Sequence, residues 1–263
     1  MKILLVKPSS LGDIIHALPV AGALARNKPG CQIHWLANDQ YADLIRCCPF
    51  VAEVIEFRRR RWVYPAAWGE LPAFVSRLRR DHYHWAIDLQ GLLRSGLLTG
   101  LVRADRKIGL QDAREGAGFF YRETVRWTET KLHAVDRYLK VMDHLGLEKG
   151  PVRFPLEIRR EIFATVAARE SIPLGEPFVA INPFSRGAGK RWRLDGFREL
   201  MGKLPGTRFI VLGEPADRPE ADELVAGMPT SVNLAGRTTL IEAVHQRLLQ
   251  YTYMRQHAAP GPS

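Results

Sequence analysis

The stretch "ILLVKPSSLGDIIHALP", Ile3 to Pro19, decides how the chain starts to fold. Its apolar first four residues predict a buried strand, and "VAGALARN" directly after it predicts a helix closed by "KPG". Gly12 permits a tight turn between the two, and Ser9, Ser10 and Asp13 can bond the exposed N–H groups of the helix. Two interpretations of Asp13 follow. Ser10-x-x-Asp13 is a helix cap, or Asp13 is a general base that accepts a proton from a substrate hydroxyl.

Short apolar runs alternate with helix-like segments through the first half of the chain. The predicted strands are "QIHWLAN", "VAEVIEF" and "HWAIDLQ", and the predicted helices are "QYADLIRCCP", ended by Pro49, and "ELPAFVSRLRRDH". Strands that alternate with helices and lack hairpin turns imply a mostly parallel sheet with helices on both faces.

The pattern breaks near Gly150 in "GLEKGPVRFPLEI", which we interpret as a hinge. After it come a predicted helix "EIRREIFATVAARE", strands "FVAINP", "RFIVLG" and "SVNLAG", and helices "DGFRELMGKLP" and "EADELVAGM". Thr239-x-x-Glu242 predicts a capping box that opens a last helix, with Leu240, Val244 and Leu248 along one stripe. The sequence therefore predicts an α/β protein with two Rossmann-like domains, residues 1–155 and 156–263, facing across a cleft, the second incomplete.

Composition narrows the class of protein. The 263 residues are 46% hydrophobic, enough for a normal core, but no apolar run approaches the roughly 20 residues of a membrane span. Since the start of the chain has no signal-peptide pattern, we expect a cytoplasmic protein. Three cysteines (Cys31, Cys47 and Cys48) lack metal-ligand spacing, so we expect reduced, mostly buried thiols. The net charge of +10 predicts an anionic partner: nucleic acid, an acidic membrane surface or a phosphorylated small molecule.

Ligands of open parallel sheets bind beyond the carboxyl ends of the strands, so the loops there are the candidate sites. In "SRGAGKRW", two glycines and Lys190 suit a diphosphate, although the loop lacks the Walker A spacing and a plain surface turn explains it equally well. Glu214 and Glu220 follow the next strand. They either bind ribose hydroxyls or cap the helix at "RPEADEL".

Several of these segments together resemble glycosyltransferase family 9, the lipopolysaccharide heptosyltransferases. They are "KPSSLGDIIHALP", "FRRRRW", "AIDLQGLLRSGL", "GLQDAREGAGFFY", "HAVDRYL" and "GKRW", and the similarity extends to about Val244. The resemblance implies a GT-B fold with an N-terminal acceptor domain and a C-terminal donor domain. It further implies transfer of heptose from ADP-heptose to a Kdo sugar of lipid A, with inversion, without metal or cofactor, and at the inner face of the inner membrane.

The resemblance also implies roles for individual residues. Asp13 matches the general base. Acceptor-binding positions are Ser10, Gly12, Arg58, Arg59, Arg60, Arg61 and Arg114, whose guanidinium groups suit phosphates and carboxylates. Ser185 and Lys190 match the donor-phosphate loop, and the glutamate of the donor site is either Glu214 or Glu220.

One departure from the family concerns the end of the chain. The family's later Asp-Ser/Thr-Gly-Pro-Met-His motif, which contacts the nucleotide diphosphate, has no counterpart, and the chain continues after Val244 as "HQRLLQYTYMRQHAAPGPS". The sequence thus predicts a truncated donor domain. Three alternatives follow: a non-catalytic protein that binds an anionic glycolipid, a heptosyltransferase for a later core sugar, and, on charge alone, a nucleic-acid-binding protein.

Overall fold

A computed structural model describes residues 1–157, 160–173, 176–184, 192–239 and 242–243. The chain divides into two compact units, Met1–Glu157 and Ile158–Ser263. The boundary lies in the stretch rich in glycine and proline that follows Gly146.

The first unit is built on a six-stranded sheet, and all paired strands in it are parallel. Its strands are β1 (Lys2–Val6), β2 (Gln32–Asn38), β3 (Val51–Phe57), β4 (His82–Asp88), β5 (Arg103–Leu110) and β6 (Glu123–Val125), in the order β3-β2-β1-β4-β5-β6. Strand β1 therefore lies in the middle. The order reverses beside it, between β1 and β4, and ligands of doubly wound sheets bind at such a point.

Helices cover both faces of this sheet. They are α1 (Leu11–Asn27), α2 (Ala42–Arg46), α3 (Leu71–Arg80), α4 (Leu93–Leu101) and α5 (Ala134–His144). Ile3 and Leu5 of β1 point into the core that includes α1, α2 and α5, whereas Leu4 and Val6 point into the core with α3 and α4. Because both faces of β1 are buried, its sequence is a continuous apolar run instead of an alternating one.

The second unit repeats the scheme on a smaller scale. Its described strands β7 (Phe178–Ile181), β8 (Arg208–Val211) and β9 (Val232–Asn233) form a parallel sheet in the order β7-β8-β9. Its described helices are α6 (Arg160–Arg169), α7 (Leu194–Gly202) and α8 (Arg218–Val225). Helix α6 packs on one face of the sheet through Phe163 and Val166, and the other two pack on the opposite face.

The structure confirms the α/β class and the mostly parallel sheet. Strands β2 and β3 have the predicted limits. The helix predicted from Gln40 to Pro49 is shorter, since a 3₁₀ turn over Asp39–Tyr41 precedes α2. All three cysteines are free thiols, two of them buried.

The predicted capping box is present. The Thr239 N–H donates to Glu242 Oε2 over 2.7 Å, and the Glu242 N–H donates to Thr239 Oγ1 over 3.3 Å. The stripe of Leu240, Val244 and Leu248 lies outside the described residues. Within the described part of the chain, no helix combines the length and the apolar character that crossing a membrane would require.

Candidate functional site

Four loops that carry sequence-predicted site residues or family-like segments lie at the carboxyl edge of the first sheet. Each strand of a parallel sheet ends at this edge, so the loops after β1, β3, β4 and β5 all open there. Strands β3 and β5 each lie two places from β1, which is about 10 Å at the usual strand spacing. The arginine-rich loop after β3 and the Arg114 loop after β5 therefore flank the loop that leads to Asp13.

Asp13 lies in the first turn of α1, and its carboxylate caps the helix. Oδ2 accepts a hydrogen bond from the Ser10 backbone N–H over 3.2 Å and another from the Ser10 hydroxyl over 2.9 Å. The capping interpretation is thus confirmed. Because Ser10 holds only Oδ2, the second oxygen, Oδ1, points elsewhere, and Asp13 is only half buried. Capping therefore does not prevent Asp13 from meeting a substrate.

Two buried side chains adjoin this carboxylate. The Tyr138 hydroxyl, on α5, lies 3.4 Å from Asp13 Oδ1. Lys7 directly follows β1 and is only 2% exposed, with its Nζ 5.0 Å from the centroid of the Tyr138 ring. Burial lowers the pKa of Lys7 to about 8, although the negative charge of Asp13 acts in the opposite direction. Burial likewise raises the pKa of Tyr138, to about 12, and the charge of Asp13 adds to that rise.

The charge of Asp13 itself is stabilised by its neighbours. Partial burial acts to raise the pKa of Asp13, but the Lys7 ammonium and the two Ser10 hydrogen bonds outweigh it, and the pKa lies below its ordinary value. Arg137 contributes in the same direction. Asp13 is therefore an ionised carboxylate at neutral pH, as a proton acceptor must be.

Arg137 extends this group toward the loop after β5. Its Nη2 donates to the Tyr138 hydroxyl over 3.0 Å, and its Nη1 donates to Asp112 Oδ2 over 2.5 Å. Asp112 lies two residues before Arg114 in the "QDAREG" segment. A continuous chain of contacts therefore joins Asp13 to the loop that carries Arg114.

The Arg114 loop is fixed by its backbone. The Arg114 N–H donates to the Gly91 carbonyl over 2.7 Å, and Glu115 adopts a φ of 57° in the left-handed region. Glu115 Oε2 in turn accepts a hydrogen bond from the Leu93 N–H, the first residue of α4, over 3.4 Å. Gly91 also has a positive φ and approaches Ala113 so closely that a Cβ there would lie 3.2 Å from the Ala113 Cα. The exposed Arg114 side chain thus projects from a rigid turn.

Asp88, at the end of β4, is fully buried and organises the neighbouring loop. Its Oδ1 accepts from the N–H groups of Gln90 and Gly91 over 2.7 and 3.2 Å, and its Oδ2 accepts from the Tyr121 hydroxyl over 2.7 Å. Burial raises the pKa of Asp88, and these hydrogen bonds oppose the rise. Asp88 therefore holds the β4–α4 loop in place, and its buried oxygens are already used.

The four consecutive arginines after β3 differ in their contacts. Arg61 is paired with Glu70, its Nε 2.7 Å from Oε1, and Arg58 lies 3.8 Å from Glu56. In the described part of the chain, the exposed Arg59 and Arg60 have no carboxylate within 4.0 Å. The guanidinium groups of Arg59 and Arg60 are thus available to an external anion, whereas that of Arg61 stabilises the loop. Gly12, at the other predicted acceptor position, is exposed and has open space at its Cα.

Two of the candidate donor residues, Glu214 and Glu220, follow β8 at the carboxyl edge of the second sheet. The Glu214 N–H donates to Asp217 Oδ2 over 2.8 Å, so the segment after β8 begins with its own cap, and Glu220 lies in the first turn of α8. The buried Asn233 accepts from the Ala235 N–H over 2.8 Å and fixes the next loop. Ser185 and Lys190 fall outside the described residues.

Metal-ligating side chains come together once among the described residues, at His34, Glu53 and Asp81, whose ligand atoms lie within 4.8 Å of one another. His34 Nδ1 is 3.0 Å from the Tyr83 hydroxyl, and the two carboxylates are paired with Lys2, Arg77 and Arg80. These three cations already balance the carboxylates, so the cluster is an ion-pair network.

Sequence reasoning missed the residues that adjoin Asp13 and connect it to the Arg114 loop. Lys7, Tyr138, Arg137 and Asp112 received no role. Lys7 was visible as a charged residue directly after a buried strand, and the other three lie in "HAVDRYL" and "GLQDAREGAGFFY", segments that already carried the family resemblance.

Comparison with known proteins places the chain among sugar-transferring enzymes. The family described as "Glycosyltransferase family 9 (heptosyltransferase)" matches residues 72–251. The chain is 34% identical over 251 residues to lipopolysaccharide heptosyltransferase 1 of Pseudomonas aeruginosa, covering 89% of this chain and 67% of that protein. It is 28% identical over 239 residues to lipopolysaccharide heptosyltransferase 1 of Escherichia coli K12, covering 86% of this chain and 73% of that protein.

Solved structures agree with these sequence matches. The E. coli heptosyltransferase WaaC with ADP-2-deoxy-2-fluoro heptose matches with a TM-score of 0.77 and 27% identity, over 94% of this chain and 79% of that one. The E. coli ADP-heptose LPS heptosyltransferase II matches with a TM-score of 0.74 over 93% of this chain and 76% of that one; at 23% identity it supports the fold alone.

The fold and these likenesses define the class: the chain is a glycosyltransferase with the GT-B-like fold of the heptosyltransferases. Within that class, it belongs to glycosyltransferase family 9, the heptosyltransferase family. This membership does not favour the alternatives of a non-catalytic glycolipid-binding protein or a nucleic-acid-binding protein.

Proposed function

We propose that this protein transfers heptose from ADP-heptose to a Kdo sugar of lipid A, in the assembly of the inner lipopolysaccharide core. Two observations support the proposal. Both relatives named above are lipopolysaccharide heptosyltransferases 1, and WaaC was solved with an ADP-heptose analogue. The observation that carries the chemistry is the ionised, half-exposed Asp13 carboxylate at the strand-order reversal of the first sheet.

Asp13 is the general base in this proposal. The acceptor hydroxyl loses its proton to the Asp13 carboxylate as its oxygen bonds to the anomeric carbon of heptose. The bond from that carbon to the ADP phosphate oxygen breaks in the same step, and ADP leaves with the electron pair. A single displacement of this kind inverts the anomeric centre. A base with a low pKa abstracts a hydroxyl proton only as the new bond forms, so general-base assistance within the transition state is the appropriate role.

Lys7 is a positioning residue in this proposal. It is buried beneath Tyr138, so it does not reach the acceptor, but its charge keeps Asp13 ionised. The Ser10 hydrogen bonds restrain the carboxylate so that it stays at the mouth of the loop. The connection between β1 and α1 thus provides both the base, Asp13, and the cation that stabilises its charge, Lys7.

The acceptor is recognised through exposed arginines at the same edge. Kdo carboxylates and lipid A phosphates are anions that a guanidinium group binds in bidentate geometry. Arg59, Arg60 and Arg114 are the exposed candidates, with Arg58 beside them, and Arg61 holds the loop through Glu70. The proposal places the acceptor-binding role in residues 1–155.

The donor is assigned to residues 156–263. Ser185 and Lys190 bind the diphosphate, and Glu214 or Glu220 binds the ribose hydroxyls. Support comes from the position of both glutamates after β8, at the carboxyl edge where nucleotide ribose binds in open α/β sheets. The proposal requires neither metal nor cofactor. It places the enzyme in the cytoplasm, at the inner face of the membrane that holds the lipid acceptor.

The test is ADP release from ADP-heptose with a Kdo-lipid A acceptor. We expect Asp13→Asn to lower kcat by about 10²- to 10⁴-fold, the usual contribution of a general base. Asn can still accept the Ser10 hydrogen bonds, so the helix cap is largely kept. Asp136→Asn is the matched control, because Asp136 is an exposed acid in the first turn of α5. Wild-type turnover in Asp13→Asn would contradict the assignment of the base.

A further inference from the structure

Exposed apolar side chains are concentrated in the connection between β3 and α3. Val63 is 71% exposed, Tyr64 68% and Trp68 57%, all within six residues. Burying such side chains is favourable in proportion to the apolar area removed from water. Three of them in one short segment indicate a surface that meets something less polar than water.

A second set of exposed apolar residues lies on the same side of the sheet. Leu93 begins α4, and the 3₁₀ turn Ala117–Phe120 carries Phe119, which is 93% exposed. This turn packs on α4 so closely that a Cβ on Gly96 would lie 2.9 Å from the Ala117 backbone. Helices α3 and α4 contact each other on one face, and both begin at the carboxyl edge. Both sets lie on the α3 and α4 side of the first unit, and we call them together the apolar rim: Val63, Tyr64, Trp68, Leu93 and Phe119.

The segment after β3 cannot bury these side chains by folding back, because its own interior is filled. The Trp62 ring packs against Phe57 and Phe74 at centroid distances of 5.3 and 4.7 Å. The Trp62 indole N–H donates to Glu70 Oε2 over 3.2 Å, and the Trp68 indole N–H donates to the Trp62 carbonyl over 3.1 Å. Trp68 is thus held on the outside by its own hydrogen bond.

The charge around the apolar rim is positive. Arg59, Arg60, Arg94 and Arg114 are exposed at the same edge. The carboxylates nearby are engaged: Glu70 by Arg61 and Trp62, Asp112 by Arg137, and Glu115 by the Leu93 N–H. Tyrosine and tryptophan beside arginine suit the interface of a bilayer, where the rings sit at headgroup level and the guanidinium groups meet phosphates.

We propose that the apolar rim and its four arginines dock this protein on a bilayer that contains anionic phospholipid. The inference rests on the proposed function, in which the acceptor is a lipid, and it identifies the surface that brings the acceptor loops to that lipid. Val63, Tyr64, Trp68 and Phe119 enter the interface, and the arginines bind headgroup phosphates around them.

The test is co-sedimentation with vesicles of phosphatidylethanolamine and phosphatidylglycerol, which contain no Kdo sugar, against vesicles of phosphatidylcholine. We expect binding to the anionic vesicles only. The triple variant Tyr64→Ser, Trp68→Ser, Phe119→Ser should lower the partition coefficient by tenfold or more. The double variant Val152→Ser, Phe154→Ser removes exposed apolar side chains outside the apolar rim and should bind as the wild type does.

The arginines are tested with charge-matched variants. Arg59→Gln with Arg60→Gln should weaken binding about 25-fold at low salt, since each arginine near an anionic surface contributes about fivefold. The loss should shrink as salt is added. Arg79→Gln with Arg103→Gln removes two exposed arginines from the opposite edge and should have little effect.

Insertion is measured by quenching of tryptophan fluorescence with bromine-labelled acyl chains. The quenching should fall in Trp68→Phe, a variant that keeps an aromatic ring and is expected to fold. Three results would overturn the proposal. The triple variant could bind anionic vesicles as well as the wild type does, or the wild type could bind phosphatidylcholine vesicles as well as anionic ones. The wild type could also be a dimer in solution that the triple variant fails to form, which would make the apolar rim a contact between copies. Asp13→Asn should bind vesicles as the wild type does, so failure of the catalytic assignment is distinguishable from failure of docking.

Discussion

Replacing Lys7 with methionine should make the protein more stable at neutral pH and alter the pH dependence of catalysis. Burial lowers the pKa of Lys7 from its ordinary 10.5 to about 8. That difference means that the charged ammonium is disfavoured in the folded protein by about 3 kcal/mol relative to the unfolded chain. Methionine has a similar length and no charge, so it removes this penalty. The contact with the Tyr138 ring offsets part of the gain, and we expect a net increase of about 2 kcal/mol at pH 7.

The sign of the pH dependence is specific. Between about pH 8 and 10.5 the unfolded chain still binds a proton at Lys7 that the folded protein has released, so the stability of the wild type rises with pH across this window. The advantage of Lys7→Met should therefore be full below pH 8 and nearly absent above 10.5. Urea unfolding at pH 7 and at pH 10.5 measures both values.

The same substitution should make catalysis more sensitive to acid. Lys7 is the strongest electrostatic cause that lowers the pKa of Asp13, so without it that pKa rises. In Lys7→Met, the acid limb of the kcat/KM profile should therefore move to higher pH. Lys131→Met, at an exposed position, is the matched control. A stability gain equal at both pH values, or a net loss at pH 7, would refute the electrostatic account of Lys7.

Three further changes test an ion pair, a close packing contact and a helix cap. Glu123→Gln should lower stability by about 1 kcal/mol at pH 7, because hydrogen bonds led by that from Arg106 hold the pKa of Glu123 at about 2. This loss should fade as the pH drops from 4.5 toward 2, and a pH-independent loss in acid titrations would contradict the account. Gly96→Ala should cost about 1–3 kcal/mol in urea unfolding, since its Cβ would lie 2.9 Å from a neighbouring backbone; an unchanged midpoint would contradict the close approach. Thr239→Ala should cost about 1 kcal/mol in thermal unfolding by removing the acceptor of the Glu242 N–H, whereas Thr239→Ser should retain most of it.

Much of the fold was predictable because the central strands have a clear sequence pattern. β1 and β2 are largely apolar runs bounded by turn residues, and burial on both faces explains their composition. β5, "RADRKIGL", was not predicted as a strand. It lies near the edge of the sheet, where half-exposed arginine and lysine side chains hide the apolar signal.

The candidate site divides in the same way. The sequence by itself determined the turn between strand and helix, the Ser10–Asp13 cap and the arginine-rich loops, because these depend on neighbours within a few residues. Only the tertiary structure decided the charge of Asp13 and its surroundings: Tyr138 lies 125 residues away along the chain, and it reaches Asp13 because α1 and α5 pack on the same face of the sheet. Burial lowers the pKa of Lys7, and the charge of Lys7 helps to lower the pKa of Asp13 against the effect of its own partial burial. Both effects belong to the folded chain, since local sequence does not specify which charged group the core will exclude from water.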